Sequence, residues 1–230
     1  MIDFKNGKSY CEPFPHIIIE NCFEESILNK LINEFPNIDE SIGKEHGGRF
    51  LIRDKNFSND EWVKGSSTWK MFYDWLNNND TFHDIIGNYK LDLKLWGSVI
   101  NEKSSLGQDC YLYMDWSTSR DGYKREIHTD LGKRIWNFLI FFSDKDWKGG
   151  DFLIHESDEL KHYPRQVRKK LPIYKTIEAK KNLGIFFLST PNSYHSVSLQ
   201  SQTKSPRNFI YGSYTHKMGE VFKKRSKNEN

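Results

Sequence analysis

Eight short segments between residues 109 and 215 predict a mainly β protein with flanking helices, its strands folded into two facing antiparallel sheets as a jelly roll. Three observations predict this. Apolar runs such as Phe138-Leu139-Ile140-Phe141-Phe142 and Ile185-Phe186-Phe187-Leu188 are too short for helices but suit buried strands. Gly, Pro, Asn, Asp or Ser signals separate each segment from the next. Aromatic residues make up 15% of the chain, a share that favours pleated, half-buried surfaces.

The elements follow in order. Pro15-His16-Ile17-Ile18-Ile19-Glu20 is a β-branched run and reads as a strand. A helix is predicted from Glu24 to Phe35, because Ile27, Leu28, Leu31, Ile32 and Phe35 form one stripe and Pro36 ends it. A second is predicted from Asn59 to Leu76, with Trp69, Phe72, Tyr73 and Leu76 at helical spacing and a first half weakened by Gly65-Ser66-Ser67. Residues 37–58 are polar and contain glycine, which predicts a loop folding over something. The eight strands are Asp109–Trp116, Tyr123–Asp130, Ile135–Phe142, Asp151–His155, Pro172–Glu178, Leu183–Ser189, Tyr194–Gln200 and Asn208–Thr215. The expected organisation is a mixed, helical region over 1–95 that packs on a core over 96–217, followed by a charged tail over 218–230.

Composition narrows the function classes. At 230 residues the chain suits one sizeable domain, and 37% hydrophobic with 28% charged residues argues against a membrane protein or a disordered one. A net charge of only +3 gives no global basic field for nucleic acid. The first residues lack an apolar run and a cleavage site, and Cys11, Cys22 and Cys110 are few and scattered, so the expectation is reduced thiols in a cytoplasmic protein.

The chemistry begins at His128-Thr129-Asp130. Residues i and i+2 of a strand face one side, so this tripeptide aims an imidazole and a carboxylate at one point. The bland alternative is chance, given eight histidines in the chain. His195 opens the seventh predicted strand, and the second and seventh strands of a jelly roll are neighbours, which lets His195 complete a set of two imidazoles and one carboxylate. Such a set holds one face of a ferrous ion and leaves the opposite positions open. Arg207 precedes the eighth strand, expected next to the seventh, where a guanidinium can clamp a carboxylate through two parallel hydrogen bonds. A surface arginine after Ser205-Pro206 is the alternative, and Lys204 is a weaker substitute clamp because it lies in the loop. These residues point to an iron-dependent oxygenase.

Together, His128-Thr129-Asp130, the aromatic strand after it, Gly149-Gly150-Asp151-Phe152-Leu153-Ile154, His195 and Arg207 resemble the iron(II)/2-oxoglutarate-dependent dioxygenase superfamily, nearest its prolyl-hydroxylase-like branch. Asp121 to Ile127 leading into His128, and Pro13-Phe14-Pro15-His16-Ile17 before a helix, share that look. The resemblance covers about residues 108–215. It implies a double-stranded β-helix of the cupin-like kind, Fe(II) on His128, Asp130 and His195, and 2-oxoglutarate on the metal with Arg207 at its distal carboxylate. It further implies O2 as oxidant, ascorbate as a reductant, succinate and CO2 as products, and hydroxylation of an unactivated C–H bond. Related halogenases lack the carboxylate ligand, so Asp130 favours hydroxylation. Tyr113 on the first core strand would be a hydroxyl donor to 2-oxoglutarate, with core packing as the alternative. The chain departs from the animal enzymes, which place Lys at the clamp, and from other branches in lacking an Arg-x-Ser pattern.

Two further classes stay open. A zinc hydrolase accepts the same ligands, although Arg207 has no task there and no Glu general base accompanies the set. A cupin-like binding module without catalysis is the other. The substrate class is open among small molecules, peptides and glycans, with nucleic acid disfavoured. The basic stretch over 155–181 is either a surface for an anionic substrate or a solvated hairpin.

Overall fold

All eight strands expected in the second half are present in the computed structural model, which describes residues 1–39, 41, 43–45, 47–53, 65–95, 97–157 and 170–221. Their bounds are β5 Cys110–Ser119, β6 Arg125–His128, β7 Arg134–Phe141, β8 Phe152–His155, β9 Ile173–Ile177, β10 Leu183–Leu188, β11 His195–Val197 and β12 Arg207–His216. Four strands precede them: β1 Lys8–Tyr10, β2 His16–Glu20, β3 Lys44–Glu45 and β4 Arg49–Arg53. One sheet has the order β1-β2-β10-β7-β12-β5-β4-β3, and the facing sheet has the order β6-β11-β8-β9. The eight core strands divide four and four between the sheets, which is the jelly roll, and the amino-terminal strands widen the larger sheet at both edges.

Two expectations need correction. The stretch 37–58 is not a plain loop, because β3 and β4 form a hairpin within it and β4 pairs with β5, Arg49 opposite Ser119. Neither β3 nor β4 alternates cleanly, so period-2 reading does not find them. The eighth strand does not lie next to the seventh. β12 is flanked by β5 and β7 in the larger sheet, while β11 belongs to the smaller one. Arg207 therefore reaches the interior from the sheet opposite His195.

Among the described residues the α-helices are α1 Glu25–Asn33, α2 Ser67–Leu76, α3 Asn79–Asn88 and α4 Lys90–Leu95. The first part of the helix expected from Asn59 falls on 59–64, outside the described residues. At α2, the Ser66 hydroxyl accepts from the Trp69 N–H at 3.2 Å, and the Glu34 carboxylate accepts from the Thr68 N–H at 3.0 Å. An anion at this end complements the helix dipole and ties α1 to α2. The sequence reading names no helix at α3; Asn78 caps it by accepting from the Asp80 N–H at 2.7 Å. Among the described residues no helix is long and apolar enough to cross a membrane.

One cluster of side chains lies between the larger sheet and the helices, with Trp69, Phe72 and Phe82 against Trp116, Trp136 and Phe138. Trp116 and Trp136 are therefore core residues. The second cluster fills the space between the sheets with Tyr123, Phe141, Phe152, Phe187 and Phe209. Register places Arg207, Phe209, Tyr211 and Ser213 on the inner face of β12, with Asn137 of β7 and Phe187 of β10 level with Ser213. The outer face needs Gly212, where a Cβ would lie 2.0 Å from Phe138 Cζ. Gly212→Ala is expected to destabilise by about 1–3 kcal/mol through overpacking, measured by denaturant unfolding. An unchanged midpoint would show that the Phe138 ring yields freely.

Candidate metal centre

His128 and His195 are direct partners across the antiparallel pairing of β6 and β11. Asp130 lies just past the end of β6 and turns back toward them. One possible ligand atom from each of the three lies within 4.8 Å of the others, and all three side chains are buried. The ring centroids of the histidines are 4.4 Å apart, and His195 Nε2 is 3.9 Å from Asp130 Oδ2.

The local backbone sets the tautomers. His128 Nδ1 sits 2.7 Å from the Glu126 carbonyl, and His195 Nδ1 sits 2.9 Å from the Ser193 carbonyl. A carbonyl only accepts, so each Nδ1 carries the proton and each Nε2 presents a lone pair inward. Phe152 stacks on His195 at 5.2 Å, and the edge of Phe187 meets the same ring at 4.9 Å. Burial, assisted by His195, pushes the His128 imidazole down to about 3, against the pull of Asp130. Burial likewise lowers His195. Burial alone would raise the Asp130 carboxyl, but Arg134, His195 and His128 reverse this and hold it at about 2. Two neutral imidazoles and one carboxylate therefore stand ready at neutral pH, a donor set that fits a divalent iron with open positions.

Further side chains hold this set in place, and the sequence reading did not find them. Arg134 Nη1 donates to Asp130 Oδ1 at 3.1 Å and also to the Tyr211 hydroxyl. The Tyr211 hydroxyl lies 3.1 Å from Asp130 Oδ2 and 2.7 Å from Asn137 Oδ1. An i,i+4 acid–base spacing is the one signal for Arg134, and it carries no weight off a helix. Tyr113 donates to Asp115 Oδ2 at 3.0 Å, and its ring lies 5.2 Å below the Arg134 guanidinium. Asp115 in turn pairs with Arg49, which also donates to Ser117 Oγ at 2.8 Å.

Arg207 is 1% exposed. Its Nε donates to Ser119 Oγ at 3.0 Å, and Nη1 donates to the Gly150 carbonyl. Its Cζ lies 5.0 to 5.6 Å from the rings of Phe209, Tyr123 and Phe141. No carboxylate among the described residues forms an ion pair with it. Burial pulls its pKa down to about 10, with Tyr123 opposing, Arg49 adding to the shift and Asp151 opposing it from a distance. Gly150, at φ +71°, clears the way, since a Cβ there would meet Arg207 Nη1 at 2.7 Å. Lys204 is exposed and offers no inward charge.

No family model and no curated protein matches the sequence. Solved structures do match. A Pseudomonas putida prolyl-4-hydroxylase aligns over 87% of this chain and 91% of its own at 11% identity, with a TM-score of 0.50. A 2OG-Fe(II) oxygenase family oxidoreductase from Burkholderia pseudomallei aligns over 92% and 89% at 10% identity, TM-score 0.53. The fold is that of the 2OG-Fe(II) oxygenases. The non-heme alpha ketoglutarate dependent epimerase SnoN from nogalamycin biosynthesis shares it over 92% of this chain and 82% of its own, at 10% identity and a TM-score of 0.54.

The histidine environment has a measurable consequence. In the unfolded chain His128 titrates near its ordinary value of 6.5, and the fold lowers it to about 3. Its contribution to stability is fully present above about pH 6.5 and is lost as pH falls toward 3. Asp130 adds a contribution present above its ordinary 3.8 and lost as pH falls through about 2. The metal-free protein is expected to lose thermal stability steadily from pH 7 to pH 4, and His128→Gln to flatten that slope. Equal slopes for the two proteins would contradict this account.

Proposed function

We propose that this protein is an Fe(II)- and 2-oxoglutarate-dependent dioxygenase that hydroxylates a C–H bond of its substrate. The observation that carries the reading is the pairing of two sites in one interior. Two neutral imidazoles and a carboxylate converge at one end of the barrel. A buried arginine that forms no close ion pair among the described residues, with Asp151 acting on it only from beyond salt-bridge range, lies four residues along β12 from Tyr211, about 13 Å by strand geometry. A buried guanidinium without an anion in contact is costly, and a dicarboxylate held by the metal at one end would relieve it at the other.

In this reading His128, Asp130 and His195 hold iron, and Arg207 receives the distal carboxylate of 2-oxoglutarate beside Tyr123. Tyr113 contributes from the metal end, by fixing Asp115 and supporting Arg134. When bound, iron with 2-oxoglutarate and dioxygen supplies the oxidising chemistry and releases succinate and CO2. The chain's own residues supply geometry and dryness: Phe152 and Phe187 cover His195, and Phe209 lies between the two ends. The substrate is proposed to be a small molecule, a peptide or a glycan, since a net charge of +3 offers little to a polyanion. A zinc hydrolase has no use for Arg207.

The test is optical. Protein with ferrous iron and 2-oxoglutarate, kept free of oxygen, is expected to show a weak visible charge-transfer band. His128→Ala and Asp130→Ala should abolish it. Arg207→Met should keep the band but weaken 2-oxoglutarate binding by about 2–5 kcal/mol, the usual loss when one partner of a buried charged pair is truncated. Absence of the band in the wild-type protein would sink the oxygenase reading, and unchanged affinity in Arg207→Met would remove Arg207 from the clamp.

A further inference from the structure

We infer that Arg134 is a positioning residue that restricts Asp130 to a single donor oxygen, reserving Oδ1 for itself and leaving only Oδ2 to face the two imidazoles. This rests on the metal-site reading above and adds to it the number of coordination positions the protein uses. Arg134 Nη1 is 3.1 Å from Oδ1, and this ion pair is largely shielded, with side-chain exposures of 18% and 6%. Oδ2 is turned inward, 3.9 Å from His195 Nε2, and with the Tyr211 hydroxyl 3.1 Å away on one side it keeps a lone pair for a metal on the other.

The guanidinium is not free to swing away. It lies over two rings, with Cζ 5.2 Å from the centre of Tyr113 and 4.8 Å from that of Tyr211. The same Nη1 donates to the Tyr211 hydroxyl, and that hydroxyl lies 2.7 Å from Asn137 Oδ1, whose amide donates to Ser189. Tyr113 is anchored from the other side by its bond to Asp115. Each contact narrows the directions Arg134 can adopt, and with them the rotation of the Asp130 carboxylate.

The chemical consequence is a count of positions. A carboxylate that binds through both oxygens takes one more place on a six-coordinate ion than one that binds through a single oxygen. Two imidazoles and a single oxygen use three places and leave three, enough for a chelating 2-oxo acid and one more ligand. There is also a charge consequence. A fixed cation beside the carboxylate repels a metal dication, so Arg134 opposes simple metal binding while it serves the ligands that follow. A residue that only braced the fold would have no such opposed effects.

Cobalt(II) provides a readout that needs no turnover. Full-length wild-type protein, Arg134→Met and Arg134→Lys would be titrated with Co(II) and then with 2-oxoglutarate, following the visible bands. Arg134→Met is expected to bind Co(II) as tightly as wild type or tighter, within about threefold at worst, and to change the intensity of the cobalt bands as the carboxylate swings to two-oxygen binding. It should bind 2-oxoglutarate about tenfold more weakly or worse, in the range that partners of metal ligands usually control. Arg134→Lys keeps the charge without the fork and should fall between the two. Should Arg134→Met fail to fold, Tyr113→Leu removes one of the two rings that hold Arg134 without touching Asp130 and is expected to move both readouts the same way by less. Cobalt bands and 2-oxoglutarate affinity equal to wild type would overturn the inference, as would a larger loss of Co(II) affinity. A wild-type protein that takes up neither Co(II) nor 2-oxoglutarate would instead defeat the metal-site reading beneath it.

Discussion

Everything at this centre depends on the antiparallel pairing of β6 with β11, which puts residue 128 directly across from residue 195. Strand pairing fixes position in steps of whole residues, and a slip of one residue would turn either imidazole to the opposite face. The pairing is short and its register shifts beyond His195, so backbone hydrogen bonds alone hold it weakly. The surrounding aromatic packing and the anchoring of each Nδ1 to a carbonyl two residues back add the missing rigidity. Glu126 lies in β6 and Ser193 in the turn leading into β11, so the stretch of chain that delivers each ring also orients it.

Charge inside the barrel follows one pattern. Asp130 is answered by Arg134 and Asp115 by Arg49, each at hydrogen-bonding range. Arg207 breaks the pattern, being the most deeply buried of the three arginines and the one with no described carboxylate at hydrogen-bonding range. Protein interiors tolerate a charge when it is paired and hydrogen-bonded, and here the bonds to Ser119 and Gly150 satisfy part of the guanidinium without neutralising it. The asymmetry gives the packed barrel a direction, with two imidazoles and a carboxylate at one end and a guanidinium without a close anion at the other.

Much of this was legible in the sequence, for physical reasons that can be named. The eight core strands show because their runs are short, apolar and punctuated, and His128, Asp130 and His195 show because ligand chemistry restricts residue type. The hairpin of β3 and β4 was not legible, since Arg49-Phe50-Leu51-Ile52-Arg53 has no clean alternation and sits in a polar stretch. The residues that hold Asp130 were hidden for another reason. Arg134, Asn137 and Tyr211 look like ordinary strand residues, and their roles arise only from cross-strand register between β7 and β12. The side of the barrel from which Arg207 enters was misread because strand order along the chain does not reveal which sheet a strand joins.

The hairpin of β3 and β4 has a bearing on how such a chain can be recombined. Asp115 belongs to the core, yet its counter-charge arrives from residue 49, beyond the eight strands that define the architecture. Splicing a foreign leading segment onto this barrel would strand a carboxylate in an apolar interior unless the newcomer brought a cation to the same spot. The leading segment and the barrel are therefore tied by a charge pair as well as by strand pairing, and behave as one unit when either is exchanged.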